Sequence, residues 1–304
     1  MVPDLITHDS AARHEAAEVP HHFQDLGSDL ISWRAALRLR FGADTLRSGP
    51  TRLMERRHHG PLVVQRTFHP EGRAQGDPCH AYLVHPPGGL VGGDELRIDV
   101  LVEPRGHALI TTPAATKYYR CAGRVSTQIQ ELRARNATLE WLPQENIFYR
   151  GADTRTATRV DVDAESRFVG WEVNCLGLPA RGEAFDAGDL RLDLELWRGN
   201  VPLFIDRLRL AGESPARQAP WGMAGQEAIG TLLATPATPR EVEAIRDLVA
   251  ALPLASVTLV DGVLVLRALA PQAEALRRLF ITAWRVLRPA IIGREAVPPR
   301  IWNT

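Results

Sequence analysis

Hydrophobic and polar residues alternate along much of this chain, which is the pattern of a strand that buries one face. Leucine occupies every second position from Leu190 to Leu196, and a similar alternation runs from Leu37 to Phe41. Two further apolar runs, Val257–Val260 and Val263–Leu266, flank the dipeptide Asp261-Gly262, which favours a two-residue hairpin turn. The pattern therefore predicts strands over most of the chain.

Only two segments have the spacing of good helices, and both lie late in the chain. Thr238-Pro239-Arg240-Glu241 is a capping box with proline at the first helical position, and apolar residues follow it at helical spacing until Pro253. A second helix is predicted to begin near Pro271 and to stop before Pro289, because proline interrupts helical hydrogen bonding. The chain is accordingly predicted to be mainly β (α+β), with two α-helices near the C-terminus.

The remaining segments are assigned to turns and termini. Glu103-Pro104-Arg105-Gly106 places proline and glycine where a type I turn favours them. Residues 1–28 lack periodicity and are predicted to be a mobile N-terminal segment, which leaves 29–304 as a single domain. The tail from Pro298 to Thr304 is not expected to be helical. Its Trp302 either packs back on the body or is offered to a partner.

Composition excludes several classes of function. The 304 residues carry 36 Lys+Arg and 36 Asp+Glu, a formal net charge of zero, whereas nucleic-acid-binding domains carry a basic excess. No apolar run approaches the ~18 residues that span a bilayer, and Asp4 and His8 stand where a signal peptide needs a basic start and an apolar core. Cys79, Cys121 and Cys175 are odd in number and widely spaced, which predicts buried, reduced thiols. We therefore expect a cytoplasmic protein that binds neither nucleic acid nor membrane.

The loop from His85 to Asp94, with the sequence HPPGGLVGGD, is the most unusual stretch of the chain. Prolines fix φ and glycines permit positive φ and close backbone approach, so the loop is expected to follow one unusual path, with positive φ at Gly92 and Gly93. It lacks the lysine and hydroxyl residue that end a phosphate-binding loop. A tight turn between two strands explains part of the pattern, but such a turn needs one glycine pair rather than two.

Two further stretches concentrate polar residues in apolar surroundings. The first, Thr111–Arg120, contains Lys117, the single lysine beside 35 arginines. That isolation indicates either a site that prefers a compact ammonium group or chance. The second, Leu139–Ala152, places acids and an amide inside a strongly apolar segment.

Together and in this order, the three stretches resemble the UreD family of urease accessory proteins, called UreH in some organisms. The shared motifs are the run from Gly88 to Asp94, the Thr-Pro-x-x-Thr-Lys-x-Tyr run from Thr112, and the Leu-Pro-Gln-Glu run from Leu142. The resemblance extends from about Trp33 to the C-terminus. It implies an extended, β-rich, β-helix-like fold.

The resemblance also implies a function. Members of the family are non-catalytic scaffolds that help to insert nickel into apo-urease together with UreF and UreG, in a dimeric assembly formed through the accessory complex. By the same resemblance, the residues expected to form a partner or conduit loop are Gly88, Gly89, Gly92, Gly93, Asp94, Thr112, Thr116, Lys117, Tyr118 and Gln144.

Carboxylates within apolar strands are the candidates for contact with nickel. Alternation places Glu172 and Asn174 on one strand face with Phe168 and Gly170, and a buried charge is costly without a partner. That face is therefore either exposed or lines a wet cavity, and Glu140 poses the same question unless an arginine pairs with it. The histidines match no metal-ligand spacing. The resemblance implies nickel in transit rather than a tightly bound cofactor, with transit candidates Asp94, Glu140, Glu145 and Glu172.

An enzyme is the alternative reading. A small hydrolase could use Glu140 or Glu145 as a general base, with Lys117 nearby. The sequence supplies no nucleophile motif, metal cage or cofactor loop for it.

Overall fold

Strands dominate the part of the chain that the computed structural model describes, residues 32–43 and 49–303. In chain order the strands are β1 (Arg34–Ala43), β2 (Thr51–His59), β3 (Val63–Phe68), β4 (Cys79–Val84), β5 (Glu95–Val102), β6 (His107–Thr111), β7 (Thr116–Tyr118), β8 (Ser126–Ala134), β9 (Thr138–Trp141), β10 (Asn146–Phe148), β11 (Ala152–Val162), β12 (Arg167–Leu176), β13 (Gly188–Arg198), β14 (Val201–Ala211), β15 (Ala228–Thr235), β16 (Ala255–Val260) and β17 (Val263–Ala270). The α-helices of these residues are α1 (Pro239–Ala250) and α2 (Ala273–Ile292), and short 3-10 helices span Pro179–Arg181, Pro215–Arg217 and Arg300–Asn303.

The strands form two sheets, and the chain passes repeatedly from one to the other. The first sheet has the order β14-β13-β11-β8-β5-β1-β2, and the second has the order β16-β17-β15-β12-β9-β6-β4-β3, with β7 and β10 attached beside β12. From β5 to β13 each turn of the chain adds one strand to each sheet, and neighbouring turns pair in parallel. The mainly β (α+β) fold is confirmed, and this stacking of turns gives it a β-helix-like form.

Apolar side chains fill two layers. One core lies between the two sheets and includes Leu39, Val100 and Leu196. The other lies between the outer face of the second sheet and the helices, where Trp284 of α2 meets Val169 and its neighbours. Strand β12 is buried on both faces, because one faces the first sheet and the other faces the helices. Every polar side chain from Phe168 to Leu176 of β12 therefore requires a partner or a cavity.

Two predicted turns have different outcomes. Asp261 and Gly262 both have positive φ (46° and 77°), which confirms the two-residue hairpin between β16 and β17. The prediction of a type I turn at residues 103–106 is wrong, because Arg105 has a φ of 64°. A type II turn requires this left-handed value at its third position. In that conformation the Arg105 amide donates to the carbonyl of Asn136 (2.8 Å), which joins neighbouring turns of the fold.

The C-terminal expectations need two corrections. The capping box of α1 is present, but α2 does not stop before Pro289. It continues to Ile292, where buried Arg288 and Ile291 anchor its last turn. The tail is not free of helix either. Pro298 and Pro299 precede the 3-10 turn Arg300–Asn303, and proline is tolerated there because an initial residue needs no amide donor.

Trp302 packs on the body of the protein. Its indole Nε1 donates to Thr111 Oγ1 (2.8 Å), and its ring lies 5.9 Å from Trp171 and 5.8 Å from Trp284, measured between centroids. The expectation for residues 1–28, including the boundary at 28/29, lies outside the described residues. Within the part of the chain that the structure describes, no helix is long and apolar enough to cross a membrane.

Candidate functional site

A cavity of about 120 Å³ lies between the two sheets. It is at the end where the loop His85–Asp94, called the glycine loop below, connects β4 to β5. Its lining includes Gly88 and Ala114, which are both exposed, so they mark the mouth. The flanking strands β4 and β5 belong to different sheets. The glycine loop is therefore a crossing between sheets at a cavity rim, and the interpretation as a tight turn between paired strands is wrong.

Strand β8 supplies the polar floor of this cavity through Gln128 and Gln130, and the neighbouring parallel strand β11 carries polar residues beside it. The inner face of β8 changes from Gln128 and Gln130 to Leu132 along its length, while that of β11 changes from Thr156 to Val160. The register sets Gln128 beside Thr156 and Leu132 beside Val160. One end of the space between the sheets is therefore polar and the other apolar. Gln130 Oε1 and Thr156 Oγ1 are buried without a hydrogen-bond partner among the described residues, which is uncommon for buried polar atoms.

Glu172 is the acidic residue of this polar region. It is 7% exposed, so the exposed-face interpretation of β12 is wrong, and the side chain lines the cavity instead. The hydroxyl of Thr158 donates to its carboxylate. Burial, with a smaller contribution from the charge of Asp206, raises the pKa of Glu172 to about 7. The group is thus poised between its neutral and charged forms near neutral pH.

A second, smaller cavity of about 20 Å³ shares one lining residue with the first. Glu172 contributes to the walls of both, and Asn174, Asp206 and Thr231 complete the polar side of the second. Asp206 is partly exposed and pairs with Arg267 at 2.9 Å. The two cavities therefore place a series of oxygen donors between the glycine loop and the edge of the molecule at β14.

Asp94 holds the glycine loop closed. Its two carboxylate oxygens accept hydrogen bonds from the backbone amides of Trp33 and Val91, both at 2.9 Å. Asp94, which was expected to contact nickel in transit, therefore stabilises the loop conformation. Gly93 has the expected positive φ (95°), but Gly92 does not. At Gly92 the constraint is space, because a Cβ atom there would lie 2.8 Å from the carbonyl oxygen of Arg124. The prediction of positive φ at Gly92 is therefore wrong.

The Thr112–Tyr118 segment forms the cavity wall beside the glycine loop, where the Leu90 amide donates to the Lys117 carbonyl oxygen (2.7 Å). Thr112 and Thr116 line the cavity, and a Cβ atom at Gly89 would lie 2.7 Å from the Lys117 carbonyl oxygen, so the two segments touch. Buried Tyr118 donates its hydroxyl to Gln128 Oε1 (2.9 Å) and stacks on Phe148. Burial raises the pKa of Tyr118, which keeps this phenol a neutral donor that orients the cavity amide.

Three of the expected residues lie behind this wall. The backbone amide of Gln144 donates to Thr112 Oγ1 (3.0 Å), which fixes the threonine at the cavity edge. Lys117 is half-buried and does not line the cavity. Glu145 pairs with Arg277 of α2 at 3.6 Å. These residues support or flank the cavity.

Glu140 lies on the opposite face of the second sheet from Glu172. It is fully buried and accepts hydrogen bonds from His107 Nε2 (2.7 Å), Trp284 Nε1 (2.7 Å) and Arg288 Nε (3.0 Å). Burial by itself would raise the pKa of Glu140, but His107 and Arg288 outweigh it and lower the pKa to about 2. This is the arginine-paired structural acid considered above, and the structure does not bring it together with Glu172.

The same arginine joins a second acid to the network. The guanidinium of Arg288 also binds Glu71 (2.7 Å), which in turn contacts His80 Nε2 at 2.7 Å. The network therefore fastens α2 to β4, β6 and β9. It also removes Glu140 as the base of a hydrolase, since both oxygens are occupied and no surface of the side chain is exposed.

Several residues of the site do not stand out in the sequence. Gln128, Gln130, Asn146 and Asp206 line the cavities. The available signal was the strand β8, where glutamines occupy the positions that continue as Leu132 and Ala134. A polar stretch on an otherwise apolar face indicates a wet interior. Cys79, Cys121 and Cys175 are buried as expected, and no group of three or more potential metal ligands was found in residues 32–43 and 49–303.

Comparison with known sequences identifies the family. The family model described as UreD urease accessory protein matches residues 34–303. The chain belongs to the UreD family. It is 45% identical over 276 residues to the urease accessory protein UreD of Alkalilimnicola ehrlichii, covering 90% of this chain and 92% of that one. UreD of Klebsiella aerogenes is 44% identical over 276 residues, covering 90% and 97%, and UreD of Hahella chejuensis is 42% identical over 290 residues, covering 90% and 91%.

Proposed function

We propose that this protein is a non-catalytic scaffold of urease maturation, which acts in the cytoplasm and is needed for nickel insertion into apo-urease. It would do so in a complex with UreF and UreG, in a dimeric assembly formed through that complex. Membership of the UreD family supports the accessory role. The described residues that carry the family motifs line or flank one cavity and do not form a reactive constellation, which favours a scaffold over a hydrolase.

The second part of the proposal is that nickel passes through the interior. The observation that carries it is the position of Glu172, which forms a wall of both cavities. A carboxylate there attracts a divalent cation, while the neighbouring donors of Gln128, Asn174 and Thr231 are neutral. A hard cation site with few charged ligands binds nickel weakly, and weak binding suits release to the next site.

The sizes of the cavities support stepwise dehydration. A buried water needs roughly 10–15 Å³ of cavity volume, so the first cavity, at about 120 Å³, accommodates several waters. The second, at about 20 Å³, accommodates about one. An ion that moves from the first to the second must replace most of its waters, and Glu172 and Asp206 offer the replacement oxygens.

Complementation of a UreD deletion tests the scaffold role. The intact chain, tagged, should restore urease activity in cells that carry the urease operon without its own UreD, and should retain UreF, UreG and apo-urease in a pull-down. The purified chain should show no hydrolysis of urea. Failure to retain any of these proteins, or failure to restore activity at normal expression, would refute the role.

A further inference from the structure

His85 lies at the entrance of the larger cavity. It directly follows β4 and opens the glycine loop, where its carbonyl oxygen accepts the amide of Gly88 (2.9 Å). Its side chain lines the cavity near the exposed mouth at Gly88. It is therefore among the first side chains that an entering solute would meet.

The two ring nitrogens of His85 are buried, although the residue as a whole is only partly buried. Both ring nitrogens are inaccessible to bulk solvent, and neither has a hydrogen-bond partner among the described residues. By contrast, His80, His107 and His69 each use Nε2 in a hydrogen bond of 2.7–2.9 Å. A buried polar group that makes no bond costs free energy, so the position requires an explanation other than packing.

The electrostatic surroundings of His85 favour the binding of a metal cation by its imidazole. Burial lowers the pKa of His85, although the nearby carboxylate of Asp94 partly opposes this effect. Burial favours the neutral ring, which has a free lone pair, while Asp94 contributes a negative charge that attracts cations. Neutral imidazole binds late first-row divalent metals and has little affinity for Mg²⁺ or Ca²⁺, which prefer oxygen ligands.

We infer that His85 is a nickel ligand at the entrance of the interior path, and that it gives this entrance its preference for nickel over magnesium. The inference rests on the proposed function and extends it, since the oxygen and amide donors farther inside do not by themselves select against Mg²⁺. A single imidazole with water as the other ligands gives weak, reversible binding. An ion held there can therefore move on toward Glu172.

Nuclear magnetic resonance of the full chain with ¹⁵N-labelled histidine tests the contact directly. Nickel sulfate is the probe, and the imidazole signals of His85 are assigned by their loss in His85→Gln. Paramagnetic Ni²⁺ should broaden the His85 signals at substoichiometric amounts, and an excess of Mg²⁺ should neither shift them nor restore them. His85 signals that survive nickel levels sufficient to broaden the exposed His58 would overturn the inference, as would displacement of nickel by Mg²⁺.

A maturation assay provides the second readout. At limiting nickel and high magnesium, urease matured with His85→Gln should contain less nickel than urease matured with wild type, whereas the control His58→Gln on exposed strand β2 should not differ. Normal nickel content with His85→Gln overturns the entrance role. Glu172→Leu in the same assay separates the failures: if it lowers nickel content while His85→Gln does not, only the entrance ligand is wrong. If neither lowers it, the path itself is wrong.

Discussion

Replacing Glu140 by glutamine should destabilise the protein by about 3.5 kcal/mol at neutral pH. The carboxylate is fully buried and receives His107, Trp284 and Arg288 as donors. Its pKa is lowered from 4.5 to about 2, and each unit is worth about 1.4 kcal/mol. That product agrees with the 3–5 kcal/mol typical of removing one partner from a buried ion pair. Glutamine would leave Arg288 without a counter-charge at this position.

The same lowered pKa sets the pH dependence. Glu140 in the folded protein stays ionised below the pH at which it protonates in the unfolded chain. Its contribution to stability is therefore complete above about pH 4.5 and is lost as the pH falls toward about 2. In Glu140→Gln that part of the acid sensitivity should disappear.

Urea unfolding followed by tryptophan fluorescence measures both effects, since Trp284 contacts Glu140 directly. The matched control is Glu243→Gln, an exposed acid of α1 paired with Arg246, whose loss should change the unfolding free energy by less than about 0.5 kcal/mol. An unfolding free energy of Glu140→Gln within that same margin of wild type would refute the assignment of Glu140 as a structural acid.

Three other changes have defined outcomes. Gly93→Val should cost about 1–3 kcal/mol in unfolding measurements because φ is 95° at this position, and it should lower urease activation in cells by displacing the loop. Glu172→Gln should stabilise the protein by about 3 kcal/mol at pH 8 and not at all below pH 4.5. Burial raises the pKa of Glu172 from 4.5 to about 7, so ionisation of this carboxylate lowers the stability of the wild-type fold as the pH rises through that range. Trp302→Ala should lower the unfolding free energy by about 3 kcal/mol, measured by urea denaturation, because it removes contacts with Trp171 and Trp284.

Each of these has its own contrary result. Gly182→Val shares a positive φ and has open space around it, so it should carry the strain but leave urease activation intact; equal loss in both variants would show that strain alone matters. For Glu172→Gln, stabilisation that does not change with pH would contradict a buried, titrating carboxylate. For Trp302→Ala, an unchanged midpoint would mean that the C-terminal turn does not contribute to the fold.

Local patterns in the sequence predict most of the strands and helices. They do not predict which face of a strand packs against which neighbouring layer. The alternation of Leu190–Leu196 and the capping box at Thr238 depend on neighbours within a few residues, and both are present. Alternation also places Glu172 and Asn174 on one face of β12. It cannot say which face meets the other sheet and which meets the helices, because that depends on contacts with distant elements.

Glu140 illustrates the limit. Parallel pairing sets Glu140 opposite Val169, a residue of the helix-facing layer, so the two strand acids point to opposite sides of the second sheet. The register between β9 and β12 and the arrival of Arg288, 148 residues away in sequence, are properties of the folded chain. Burial of Arg288 and Ile291 against distant elements also keeps α2 helical past Pro289, where the interruption of helical hydrogen bonding by proline predicts an end.

The nickel content of urease matured with Glu172 variants tests the interior path most directly. Glu172→Gln and Glu172→Leu are compared with Glu131→Gln, an acid on the outward face of β8, and urease and the accessory complex are purified from the same cells. The account predicts a normal complex in every variant, with nickel-poor urease for Glu172→Leu, a smaller deficit for Glu172→Gln, and full nickel for Glu131→Gln. A normal complex with fully loaded urease for Glu172→Leu would contradict it.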